Sequence, residues 1–376
     1  MKKLDSEENL PKEITTEMLN KSEILDLMLD AKKIKEIEDN YQKTNKFDNI
    51  SIRVVMVHWE VSLRMSKEEL LKTGLKLPTK FVSTMGATVY KLMLEETWGV
   101  KENWDVSNVT DMSDLFSFFP KLFDDVIVTD QKSRKKIFCL PLDIRKWDVS
   151  NVTNMSAMFS NVKSFNQDIS KWDVSNVTDM SSMFSNVKSI NQDISKWDVS
   201  NVTNMSAMFS NVKSFNQDIS KWDVSNVTDM SYMFYFDSPP NSSPFNQNIG
   251  SWNVNNVTNM TFMFFNCESF NQDISKWDVS NVTNMRAMFN YAGSFNQDIG
   301  TWDVRNVTNM ARMFKHASSF CQNLEKWDVK QVEQMGHMLI YTKCDAGECS
   351  HKRDVNKWNI GEKTKELKQN DLFGGF

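Results

Sequence analysis

In Trp147–Lys171 (WDVSNVTNMSAMFSNVKSFNQDISK) the apolar residues fall at Trp147, Val149, Val152, Met155, Met158, Phe159, Phe165 and Ile169. Amides, hydroxyls, acids and lysines fill the gaps. The steps mix two, three, four and six residues, so neither a helical period nor strict alternation describes the unit. Such a unit turns several times within its length and points its apolar residues at one axis. Asn154–Phe159 has room for one tight helical turn. Phe165–Ser170 reads as the strand, with Phe165 and Ile169 inward. Asp148-Val149-Ser150 and Asn151-Val152-Thr153 read as short turns in which side chains take up backbone N–H groups.

The unit repeats. It returns letter for letter at Trp197–Lys221, with a near twin at Trp172–Lys196. The period is 25 residues, marked by Trp147, Trp172, Trp197 and Trp222, and resumed at Trp252, Trp277, Trp302 and Trp327. The step from Trp222 to Trp252 is 30 residues, so five are inserted. A further coil opens at Trp104, before a longer insertion, and a degenerate close lies at Trp358. Self-similarity at this period predicts a repeat solenoid in which each coil contacts only its neighbours. Short parallel strands stacked at about 4.8 Å would make nine coils a rod of about 45 Å. The expected organisation is an N-terminal mainly helical region at 1–79 and an N-terminal cap at 80–103. The solenoid follows at 104–335, with insertions at 117–139 and 237–244, and then a C-terminal cap and tail at 336–376.

The N-terminal region changes pattern. Pro11 suits a first helical turn. Ser22 caps a helix whose apolar stripe runs through Ile24, Leu27, Met28, Ala31, Ile34 and Ile37. Ile50–Val61 reads as a strand, and Ser66 with Glu69 as a capping box that opens a helix closed by Gly74. The runs Leu10-Pro11-Lys12-Glu13-Ile14, Met18-Leu19, Ile24-Leu25-Asp26-Leu27 and Ala31-Lys32-Lys33-Ile34 resemble an F-box over residues 10–40. That resemblance implies docking on the Skp-type adaptor of cullin–RING ubiquitin ligases, through Leu10, Pro11, Ile14, Leu19 and Leu27.

Stacking turns each repeated letter into a column. Asn108, Asn151, Asn176, Asn201, Asn226, Asn256, Asn281 and Asn306 would bond amide to amide along the stack. Asp148, Asp173, Asp198 and Asp223 would repel unless backbone N–H groups and hydroxyls, or a cation, neutralise them. The Asn-Val-Thr sequons belong to the same columns and read as turn chemistry. The pattern WDVSNVTDMSxMFxxxxSFNQDIS resembles the BspA-like leucine-rich-repeat family over about Thr97–Trp358. The resemblance implies a leucine-rich-repeat-like solenoid used for binding, in a family whose bacterial members are often surface proteins.

Recognition would lie where the copies differ. Ala157 and Ser160-Asn161-Val162-Lys163 of one coil become Tyr232 and Tyr235-Phe236, then Phe262, Phe265 and Asn266, then Tyr291, then Arg312, Lys315 and His316. Stacked coils would gather Tyr232, Tyr235, Phe236, Phe262, Phe265 and Tyr291 into an aromatic patch, a composition that marks protein-binding surfaces.

Composition narrows the chemistry. In 376 residues the net charge is −5, which argues against nucleic acid as a principal partner. Five Cys without regular pairing point to a reducing compartment. MKKLDSEENLPKE has no apolar run after its lysines, and no stretch approaches a membrane span. The chain therefore reads as cytoplasmic or host-cell cytoplasmic, with a surface or virion location as a further reading. The four His lie at His58, His316, His337 and His351, and no nucleophile–base set or phosphate loop accompanies them. His337, Cys344, Cys349 and His351 match no strong zinc spacing. No enzyme activity, cofactor or metal is expected. The leading expectation is a non-catalytic protein-binding repeat scaffold that recognises its partner through the variable face. The alternatives are an F-box-like substrate adaptor of a ubiquitin ligase and a structural, surface or virion component.

Overall fold

The computed structural model describes residues 105–117, 126–129, 136–139, 143–163, 165–188, 190–237, 241–343, 346 and 358. The expected N-terminal helices, the 80–103 cap and the F-box-like segment lie outside the described residues.

Each coil is a succession of tight turns. In the coil of Trp147 the N–H groups of Val152, Met158, Ser160, Val162 and Phe165 donate to carbonyls three residues back, at 2.9–3.3 Å. Trp172 N–H closes the coil on Ile169 O at 3.1 Å. Reversing direction this often needs left-handed backbone, which Ala157 (φ 51°) and Asn161 (φ 64°) supply. The tight helical turn expected at Asn154–Phe159 is thus a chain of non-helical turns.

Neighbouring coils meet backbone to backbone along one strip. Met155, Ala157, Phe159 and Asn161 donate their N–H groups to Asp179, Ser181, Met183 and Ser185 carbonyls at 2.7–2.9 Å. Single-residue parallel bridges run from Asp111 through Asn154, Asp179, Asn204, Asp229, Asn259, Asn284 and Asn309 to Gln334. The strand expected at Phe165–Ser170 is absent: residues 165–169 carry no strand pairing. Side chains take the place of the backbone ladder there. Asn246, Asn271 and Asn296 receive their neighbours' N–H groups on Oδ1 at 2.8–3.1 Å, while Gln272, Gln297 and Gln322 donate Nε2 to the preceding Asn carbonyls. Among the described residues the strands are β1 (Val126–Thr129) and β2 (Lys136–Cys139), an antiparallel pair in the 117–139 insertion. Lys136, expected in a basic loop, therefore begins β2.

The core is built from columns. Phe159, Phe184, Phe209, Phe234, Phe264, Phe289 and Phe314 stack ring on ring at 5.6–5.9 Å. The eight tryptophans from Trp147 to Trp327 are all buried. From Trp172 on, each indole N–H donates to a carbonyl of the preceding coil, as Trp172 does to Ile144 O at 3.2 Å and Trp277 to Ile249 O at 3.0 Å. Trp147 Nε1, next to the long insertion, is buried without a partner.

The polar columns bond differently from the expectation. The Asn151 amide donates to Ser107 O and that of Asn176 to Ser150 O, at 2.8 and 2.7 Å, so amide meets carbonyl and not amide. Sequon Thr153 also bonds the previous coil, with N–H and Oγ1 both donating to Thr110 O. Asp148 Oδ1 accepts from both the N–H and the Oγ of Ser150, and Asp173 and Asp198 repeat this with Ser175 and Ser200. Backbone and hydroxyl donors thus meet the Asp column.

Two boundaries shift. The coil of Trp327 stays in register past 335, because Arg312, Phe314 and His316 N–H groups donate to Gly336, Met338 and Ile340 carbonyls. Trp358 then stacks on Trp327 at 6.4 Å and donates Nε1 to Leu324 O at 2.8 Å. The column thus continues inside the expected tail. The cysteine reading also changes: Cys321 is disulfide-bonded, while Cys267 is free and buried. Disulfides persist in oxidising compartments, so cysteine usage does not favour a reducing one.

Candidate functional site

Three columns leave the core on one face, those that begin at Ala157, Ser160 and Asn161. Two of them hold left-handed backbone. An L side chain there costs about 1–2 kcal/mol, least for Asn. The third column accordingly reads Asn161, Asn186 and Asn211, and Asn again at Asn266. It then reads Tyr291 (φ 60°), His316 (φ 62°) and Tyr341 (φ 61°). The first column reads Ala157, Ser182 and Ala207, then Tyr232 (φ 58°) and Phe262 (φ 57°). Bulky rings thus occupy strained positions that sister coils fill with small or Asn side chains. Strain retained in this way is a pointer to function.

The rings form one continuous strip. Tyr232 stacks on Phe262 at 4.9 Å and Tyr235 on Phe265 at 5.0 Å. Phe265 meets the edge of Tyr291 at 5.9 Å. Tyr291, His316 and Tyr341 then stack in sequence at 4.2 and 4.4 Å. Tyr341 is 56% exposed and Tyr232 37%, while Tyr235, Phe262, Phe265, Tyr291 and His316 are half-buried.

Charge along the strip is uneven. Arg286 places its guanidinium 5.5 Å from the Phe262 ring centre. Arg312, Lys315 and Lys343 lie on the same face of the later coils, whereas Asp237 lies next to the Tyr232 end. Burial, then the Lys315 charge, holds the His316 imidazole below its usual range. Burial, then Asp237, raises the Tyr235 phenol. Burial pushes the Cys267 thiol up to about 12, so it is an inert core group. Among the described residues no three His, Cys, Asp or Glu side chains are grouped to hold a metal ion.

Of the residues expected at the patch, Tyr232, Tyr235, Phe262, Phe265 and Tyr291 come together. Phe236 does not. It is 3% exposed, and its backbone lacks the left-handed turn that aims its column outward, because the chain departs there into the 237–244 insertion. Leu10, Pro11, Ile14, Leu19 and Leu27 lie outside the described residues. The patch gains His316, Tyr341 and Arg286. Adding the 25-residue period to Tyr291 twice reaches His316 and Tyr341, a signal lost when the repeat is ended at 335.

The family described as "Mycoplasma protein of unknown function, DUF285" matches residues 85–136, 131–243 and 238–358. The chain belongs to the DUF285 family. The three DUF285 matches meet at the two insertions, at 131–136 and 238–243, and the last ends on Trp358. The aromatic strip crosses the second boundary, with Tyr232 and Tyr235 in one DUF285 match and Phe262 onward in the next. No curated protein and no solved structure matches the chain.

Proposed function

We propose that this DUF285 chain is a non-catalytic protein-binding scaffold, a leucine-rich-repeat-like solenoid of the BspA-like kind that takes its partner on the aromatic strip. One observation carries the reading. Tyr232, Phe262, Tyr291, His316 and Tyr341 all stand at left-handed positions where sister coils place Ala, Ser or Asn. A ring at such a site costs folding energy that a merely structural coil avoids, and exposed clustered aromatics anchor protein interfaces. The identical coils upstream then act as a spacer of adjustable length.

The test is affinity capture with cross-linking from native lysate. The baits are the full chain and a variant carrying Tyr291→Asn, His316→Asn and Tyr341→Asn. Asn is the residue of the sister coils, so the variant keeps the fold. A partner held by the native chain and lost from the variant supports the reading. Identical capture by both baits removes it.

A further inference from the structure

We infer that the C-terminal half of the strip, across the coils of Trp277, Trp302 and Trp327, takes an acidic segment of a protein, an extended stretch rich in Asp and Glu. This rests on the proposed docking function and names the chemistry of the partner.

Two independent features carry it. The first is unpaired positive charge. Ion pairs among the described residues join Arg145 to Asp143, Arg305 to Asp303 and Lys330 to Asp328, each within one turn. Arg286, Arg312, Lys315 and Lys343 take part in none of them. The chain as a whole has net charge −5, so a face with four unpaired cations is a local inversion of sign. Surfaces of this kind steer and orient a partner of opposite charge.

The second feature is ring orientation. Tyr291, His316 and Tyr341 lie face to face at 4.2 and 4.4 Å, with interplanar angles of 15° and 17°. Their faces are taken up by one another, and their rims are what the surface presents. The rim of an aromatic ring carries partial positive charge and its face partial negative charge. Stacked rings therefore add a positive edge between the cations, which suits carboxylates. The same geometry disfavours single-stranded nucleic acid, whose bases need open ring faces on which to stack. Asp237 next to Tyr235 places the repulsive end of the strip away from this half.

The experiment titrates the full-length chain, by fluorescence anisotropy at several salt concentrations, with three labelled probes. These are a short alternating Asp/Glu peptide with one central Tyr, the same peptide with Asn and Gln replacing every acid, and an oligo-dT strand. The acidic peptide should bind, its affinity should fall with salt, and Arg312→Gln with Lys315→Gln should weaken it roughly tenfold. Both substitutions lie on exposed or half-exposed side chains and leave the core columns alone, and circular dichroism of the variant checks the fold. Equal binding of the acidic and neutral peptides overturns the inference, as does tighter binding of the oligonucleotide or indifference to the two Gln substitutions. The variant is also used as bait in the capture above. If a native partner is lost with Tyr291→Asn, His316→Asn and Tyr341→Asn but kept with the Gln pair, docking stands and the acidic partner falls. If capture is unchanged by either variant, docking itself falls.

Discussion

At the scale of single residues, the backbone sign of one torsion decides what each column tolerates. Asn186 sits at φ 61° and receives the Asn211 amide on its Oδ1 at 3.0 Å. Asn186→Val should cost about 1–2 kcal/mol, because a β-branched residue resists the left-handed region, whereas Asn186→Gly should cost clearly less. Urea denaturation of the pair is the check; equal losses would mean that the torsion is not the constraint. The same rule explains what was legible and what was not. The Asn column, the aromatic substitutions and the Asp–Ser turns could be read from letters at a fixed period. The outward aim of Tyr291 and the inward aim of Phe236 could not, since both follow a Met-Phe turn and differ only in whether the backbone flips. That flip depends on the insertion that follows Phe236, a non-local cause.

At the scale of one coil, stability comes from bonds and rings that run between neighbours. Trp277 donates to Ile249 O at 3.0 Å and stacks on Trp252 and Trp302, both at 6.5 Å. Trp277→Phe keeps an aromatic ring but leaves a buried carbonyl unsatisfied, at about 1–3 kcal/mol. A native-like midpoint in guanidinium would show that this bond is dispensable. The acid columns set the response to pH. Hydrogen bonds from Ser170, Ser195, Ser200, Ser220 and Ser275 hold Asp168, Asp193, Asp198, Asp218 and Asp273 below the ordinary 3.8, and Arg305 does the same for Asp303. A depressed folded value means that the charged form favours the folded state. Its contribution is complete above about pH 4 and is lost as pH falls through the folded values. Melting temperature should therefore drop below pH 4, and less so after Ser195→Ala and Ser220→Ala remove two hydroxyl donors. An identical acid limb in the variant would assign the loss to other groups. The one misplaced element, the strand at Phe165–Ser170, failed for a reason visible at this scale. Asn and Gln side chains supply the inter-coil bonds that a strand would have made with its backbone.

At the scale of the whole molecule, the coils are interchangeable units joined to their neighbours alone. Excising Trp172–Lys196 brings Lys171 against Trp197, and every column closes up in register. In a one-dimensional array stability is close to a sum of units and interfaces, so this deletion should fold cooperatively with a lower midpoint. Its binding at the aromatic strip should be unchanged. Removing half as many residues should prevent folding, because apolar and polar columns would exchange places. Circular dichroism melts of the two deletions distinguish the cases, and equal tolerance of both would refute the register argument. The repeat length and its columns were readable because identical letters fix identical environments. The continuation through Gly336–Ile340 and Trp358 was hidden because spacing, not identity, preserves it.

The inter-coil strip has a further property. Met155, Ala157, Phe159 and Asn161 all send their N–H groups toward the next coil, and Met310, Arg312, Phe314 and His316 do the same at the far end. Aligned peptide dipoles add, as they do along a helix. Here their positive pole lies at the C-terminal coils, the reverse of the α-helical arrangement. The array is a vector: a partner laid along it backwards meets a different electric field, so orientation as well as composition is selected at the Tyr291–Tyr341 end.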